Sequence, residues 1–222
     1  GSGKTEIYIQ LANEIIKQNK TMLMLVPEIS LTPQLSQKFI DTFGPKIGLW
    51  HSKLTKSEKY KTWKNIHSGQ YSIIIGARSA IFCPIINLGL IIIDEEHDSS
   101  YKQETSTFKY HARDVAIVRA KYSNATIVLG SATPSIESYY NAINNKFNLL
   151  EIKSRYNDAE YPEVNIVDMT KGNNRFSYDF SYDLISAMKE CINNNEQIII
   201  LHNRRGFSNI CRCQDCGSIT TC

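Results

Sequence analysis

The chain has 222 residues, 25 of them Lys or Arg and 22 Asp or Glu, for a formal net charge of +3. That length allows one large or two modest domains, and so small a basic excess permits a nucleic-acid partner without requiring one. No apolar run approaches the ~20 residues of a membrane helix and the first residues form no signal peptide, so a cytoplasmic protein outside the membrane is expected.

Gly1-Ser2-Gly3-Lys4-Thr5 is the back half of a phosphate-binding loop. In that pattern backbone N–H groups wrap the phosphates of ATP, the lysine neutralises them, and the threonine, here Thr5, holds magnesium. The first glycine of the pattern would lie upstream of Gly1 and the chain opens without Met. A fragment is therefore expected, lacking the strand that feeds the loop. Ile7, Leu11 and Ile15, with Ile16 beside them, have helical spacing, so a helix begins at the loop and points its N-terminus at the phosphates.

Thr21 to Val26 is the next predicted strand, closed by Pro27, and Thr32-Pro33 opens a helix to about Phe43. Ile47 to Trp50 is a short strand, Lys56 to His67 a helix, and Tyr71 to Ile75 a strand entering Gly76-Ala77-Arg78-Ser79. Strand and helix alternate, the pattern of an α/β parallel sheet.

The segment Leu90 to His97 organises the rest. Four apolar residues form a strand buried on both faces, and Asp94 and Glu95 stand where it surfaces. The carboxyl ends of parallel strands line the ligand crevice. Asp94 is thus the expected second partner of the magnesium, and Glu95 the group that polarises the attacking water. Acids at a strand end can instead be merely solvated.

Residues 98–111 have no clear period and are expected to be a loop, with Tyr101, Phe108 and Tyr110 among polar neighbours. Such aromatics either cover a core edge or stack on bases. Arg78 is either a solvated side chain or a partner of a DNA phosphate. Ala112 to Tyr122 is a predicted helix, Thr126 to Leu129 a strand, and Ser131 and Thr133 follow its end, where their hydroxyls suit turns and caps. Ser135 starts a helix to about Asn144. Val164 to Val167 and Gln197 to Leu201 are expected strands, with Leu184 to Ile192 helical between them.

Cys83 and Cys191 stand alone and suit buried apolar positions. Cys213 and Cys216, two residues apart with Gly217 after the second, form the chelating turn of a zinc site. Only one full pair of that kind is present.

Taken together, Gly-Ser-Gly-Lys-Thr, Val-Pro-Glu-Ile-Ser-Leu-Thr-Pro-Gln (26–34), Gly-Ala-Arg-Ser-Ala-Ile-Phe (76–82), Asp-Glu-Glu-His-Asp (94–98), Tyr-His-Ala-Arg-Asp (110–114), Gly-Ser-Ala-Thr-Pro-Ser (130–135) and Asn-Arg-Arg-Gly (203–206) resemble, in order, the motifs of the PriA family of bacterial replication-restart DNA helicases. The resemblance implies a superfamily 2 helicase that moves 3′-to-5′ on DNA. Its fold would be α/β: a RecA-like P-loop NTPase parallel sheet with helices on both faces, plus the start of a second RecA-like lobe carrying a zinc-binding insertion. The expected division is 1–150 for the first lobe, 151–210 for the start of the second and 211–222 for the start of the zinc module.

The resemblance also implies roles. His97 joins Lys4, Asp94 and Glu95 in the catalytic set and couples ATP to DNA through Ser131 and Thr133, while Arg78, Tyr101, Phe108, Tyr110 and Arg113 belong to the DNA-binding or coupling surface. Two zinc ions are implied, with Cys213 and Cys216 on one and Cys222 on the other; Cys211 matches no family ligand. Expected partners are forked and single-stranded DNA, primosome proteins and single-stranded-DNA-binding proteins, with the protein itself a monomer. The chain stops before the motifs that carry the family's arginine finger, which is worth on the order of 10³ to 10⁵ in rate, so alone it is expected to be nearly inert. The alternative is a double-stranded nucleic-acid translocase or restriction-type motor subunit without strand separation.

Overall fold

The computed structural model describes residues 3–27, 33–104, 107–152, 162–170, 174–177, 179–201, 211–212 and 219–220. Two compact units divide the chain, Gly1–Glu160 and Tyr161–Cys222.

The first unit alternates helix and strand: α1 (Lys4–Lys17), β1 (Thr21–Leu25), α2 (Pro33–Phe43), β2 (Ile47–Trp50), α3 (Lys56–His67), β3 (Ile73–Gly76) and β4 (Leu88–Asp94). After β4 come the two-residue strands β5 (Lys102–Gln103) and β6 (Tyr110–His111), then α4 (Ala112–Ser123), β7 (Thr126–Gly130) and α5 (Ile136–Ile143). The main sheet has the order β2-β3-β1-β4-β7, and every neighbouring pair is parallel.

Period-two alternation divides the core between the two sheet faces. Leu23, Leu25, Ile74, Ile91 and Ile93 pack with Ile66 of α3 and with Ala112, Ala116 and Ala120 of α4. Met22, Met24, Ile73, Ile75, Leu90 and Ile92 pack with Tyr8 and Ala12 of α1 and with Phe39 and Phe43 of α2. With both faces covered, β1, β3 and β4 are almost wholly buried, which is why they read as unbroken apolar runs. The doubly covered parallel sheet is the RecA-like arrangement.

Local chemistry sets the helix starts. Thr55 accepts from the Glu58 N–H while Glu58 bonds back to the Thr55 N–H, a complete capping box for α3. Ser135 caps α5 through the Ser138 N–H, and His111 caps α4 through the Arg113 N–H. An alanine every fourth residue along α4 lets that helix lie close to the sheet, where Arg119 donates to the Ile81 and Cys83 carbonyls.

The helix expected from the spacing of Ile7, Leu11, Ile15 and Ile16 is α1; Leu11, Ile15 and Ile16 pack beside its buried Tyr8 and Ala12, while Ile7 is 41% exposed. Two expectations are corrected. The stretch 98–111 is more ordered than aperiodicity implied, with a 3₁₀ turn at Ser99–Tyr101 and an antiparallel β5–β6 ladder. In the second unit, Val164 to Val167 and Gln197 to Leu201 form no ladder with any described residue, and Ile166 and Ile199 are exposed. Apolar alternation alone makes no strand without a hydrogen-bonding neighbour. That unit does contain α6 (Tyr182–Asn193), capped by Ser181 through the Leu184 N–H, and an antiparallel pair, β8 (Cys211–Arg212) with β9 (Ile219–Thr220).

Candidate nucleotide and coupling site

The parallel sheet delivers Asp94 at the carboxyl end of β4, and α1 begins beside it. Gly3, at φ +80°, occupies the N-cap of α1 and offers no capping side chain, so the first-turn N–H groups face outward. A Cβ at Gly3 would meet nothing within 4 Å, which leaves room for a ligand against the backbone. Gly1 and Ser2 lie outside the described residues, and Thr5 is partly buried one residue past Lys4.

Lys4 and Tyr8 stand four residues apart on one face of α1, and each reaches one acid. Lys4 Nζ donates to Glu95 Oε1 at 2.7 Å, and the Tyr8 hydroxyl donates to Asp94 Oδ1 at 2.9 Å. From the opposite sheet face, the hydroxyl of fully buried Tyr101 donates to the Asp94 carbonyl oxygen at 2.6 Å. Burial, then the charge of Asp94, pushes both tyrosines above their usual range and keeps them donors. Burial also raises the Asp94 carboxyl, against the Tyr8 hydrogen bond and the Lys4 charge. Glu95 has a positive φ, +46°.

This arrangement fits a magnesium-bound nucleotide. Carboxylate oxygen is the hard donor that magnesium prefers, and such sites need only one or two carboxylates beside the phosphates. Among the described residues no three His, Cys, Asp or Glu side chains are gathered as a metal cage. Cys213, Cys216 and Cys222, the expected zinc ligands, lie outside the described residues.

Two further groups tie the acids to the segment after β7. His97 hydrogen-bonds Ser131 Oγ through Nδ1 at 2.7 Å and reaches Thr133 Oγ1 through Nε2 at 3.5 Å, with Glu95 Oε2 3.7 Å from Nδ1. Next to it Glu96 is buried, 1% exposed, and accepts from the Ser135 N–H at 2.6 Å, from the hydroxyls of Ser135 and Ser138, and from Arg113 Nη1 at 3.2 Å. Burial alone would raise the Glu96 carboxyl, but these donors together hold it below the ordinary range. Arg113, expected in the DNA-binding or coupling set, is the counter-ion of this buried acid.

The aromatic trio also separates. Tyr101 is core, so it has no face to offer a base. Phe108 is 67% exposed and lies 5.7 Å from Tyr110, which in turn packs edge-on against Phe82 at 5.0 Å. Phe108, Tyr110, Arg78 and Ser52 line a cleft of about 330 Å³. Arg78, expected to contact a DNA phosphate, uses Nη1 to donate to the Ser100 and Lys102 carbonyls at 2.9 and 2.6 Å, and its guanidinium lies 6.0 Å from the Tyr110 ring centre. It ties the Gly76–Phe82 segment to the turn after Asp94.

Tyr8 and Glu96 escaped sequence reasoning. The signal for Tyr8 was its position four residues after Lys4. Nothing local distinguishes Glu96 from a solvated acid, since its partners are Arg113 and residues after β7.

The chain is 46% identical over its whole length to the replication restart protein PriA of Bacillus subtilis (strain 168), of which it covers 28%. It is 44% identical to that of Chlamydia pneumoniae and 43% identical to that of Rickettsia felis, covering 30% and 34% of those proteins. It thus spans about a third of the length of the curated relatives it matches. The lysine of α1, the acids that end β4 and the hydroxyls after β7 all fall within residues 1–142, which match the DEAD/DEAH box helicase model, and the chain belongs to that family.

Proposed function

We propose that this chain is the ATP-hydrolysing motor segment of a DNA helicase that restarts stalled replication forks and assembles primosomes, moving 3′-to-5′. The observation that carries the reading is the convergence of α1 and β4, with Lys4 on Glu95 and Tyr8 on Asp94. Lys4 and the backbone of Gly1 to Thr5 bind the β/γ-phosphates, Thr5 and Asp94 hold magnesium, and Glu95 orients the attacking water. Magnesium, when bound, neutralises charge on the transferred phosphoryl group. His97, bonded to Ser131 and Thr133, relays nucleotide state towards the DNA-facing elements, and Phe108 with Tyr110 offers an aromatic surface to single-stranded DNA.

In the same reading 1–150 is the first lobe, 151–210 the start of a second and 211–222 the start of a zinc module with Cys213, Cys216 and Cys222 as ligands. Forked DNA, primosome proteins and single-stranded-DNA-binding proteins are the partners, and the protein works in the cytoplasm as a monomer. The test is DNA-stimulated ATPase and unwinding of forked substrates with 3′ or 5′ tails by the full-length protein. ATPase without any unwinding would leave a translocase, and no DNA-stimulated ATPase would reject the motor.

A further inference from the structure

We infer that Tyr8 is a positioning residue for Asp94, fixing the carboxylate so that its remaining oxygen is presented to magnesium. The inference rests on the reading of Asp94 as the magnesium partner. A carboxylate at a strand end rotates about its terminal torsion with little restriction. Here the Tyr8 hydroxyl, 2.9 Å from Oδ1, removes that freedom, while Tyr101 holds the Asp94 backbone carbonyl at 2.6 Å from the other sheet face. The acid is held from both sides by two buried tyrosines on different elements.

Tyr8 itself has little freedom, being 3% exposed within the α1 face of the core. Gly130, the last residue of β7, leaves the space the hydroxyl occupies: a Cβ there would stand 1.8 Å from the Tyr8 oxygen and 3.0 Å from its Cζ. The phenol therefore fits its place only because Gly130 lacks a side chain. Groups that orient metal ligands in this way commonly alter metal affinity about 10- to 100-fold when removed.

The experiment is titration of magnesium into the full-length protein bound to a fluorescent ATP analogue, with thermal melting alongside. Tyr8→Phe keeps the ring and deletes only the donor. The expected result is unchanged analogue affinity without metal and a half-saturating magnesium concentration raised about 10- to 100-fold. Gly130→Ala, which displaces the hydroxyl without deleting it, should give the same displacement. The double variant should be no worse than either single one, because both remove one interaction. Superimposable magnesium titrations for wild type and Tyr8→Phe would overturn the assignment, and so would an equal loss of affinity with and without metal. A wild type that binds the analogue with no magnesium dependence would overturn the role of Asp94 instead.

Discussion

Lys4 Nζ lies 2.7 Å from Glu95 Oε1, although 91 residues separate them in the chain. The base that would orient water is thus neutralised by the lysine that would bind phosphate, so a ligand drawing Lys4 away also releases Glu95. Lys4→Ala should abolish ATP hydrolysis in the full-length protein and leave DNA binding largely intact. Glu95→Gln should retain bound ATP without turnover. Filter binding and phosphate release measure both, and turnover within about twofold of wild type in either variant would contradict the assigned roles.

Breaking the buried pair of Glu96 and Arg113 should be expensive. Arg113→Met leaves Glu96 without its counter-ion and should cost about 3 to 5 kcal/mol in urea unfolding. Glu96→Gln should also destabilise, and it should flatten the acid limb of the stability profile. The folded Glu96 carboxyl titrates below its unfolded value, so its stabilisation is present above the ordinary carboxylate range and lost as pH falls through the folded value. His111, pushed down by burial and then by the Arg113 charge, contributes with the same sign nearer neutrality.

The aromatic residues after β4 should respond oppositely to substitution. Tyr101→Phe deletes a fully buried donor to the Asp94 carbonyl, at about 1 to 3 kcal/mol. Phe108→Ala should leave the melting temperature nearly unchanged while reducing the ratio of DNA-stimulated to basal ATPase, since stacking a base is worth roughly 1 to 3 kcal/mol. If Phe108→Ala lowered stability and left that ratio alone, the cleft would be a core edge.

Zinc should accompany the full-length protein, and Cys213→Ser should remove one ion of two, because coordination requires thiolates that serine cannot replace. Elemental analysis decides it. Zinc-free wild-type protein would reject the site.

The sequence made most of the sheet legible because β1, β3 and β4 are buried on both faces and carry uninterrupted apolar runs between turn signals. The helix expected from Lys56 to His67 is α3, and the structure adds a start signal that is equally local, the capping box of Thr55 and Glu58. Whatever depended on distant partners was not legible. Tyr101 and Phe108 look alike in an aperiodic stretch, yet one donates to Asp94 from the core and the other is exposed. Arg78 and Arg113 resemble phosphate-seeking surface cations until the carbonyls of Ser100 and Lys102 and the carboxylate of Glu96 are found beside them. Val164 and Ile199 sit in strand-like runs, but a ladder needs a second strand as well as a first.

Glu95 has consequences for evolution of the fold as well as for chemistry. Its φ of +46° is a conformation that costs an L-residue with a Cβ roughly 1 to 2 kcal/mol and a glycine almost nothing. Glycine at this position should therefore raise the melting temperature while removing the carboxylate. A search for thermostable variants that does not also demand turnover would be drawn to position 95 and would return sturdier, idle motors.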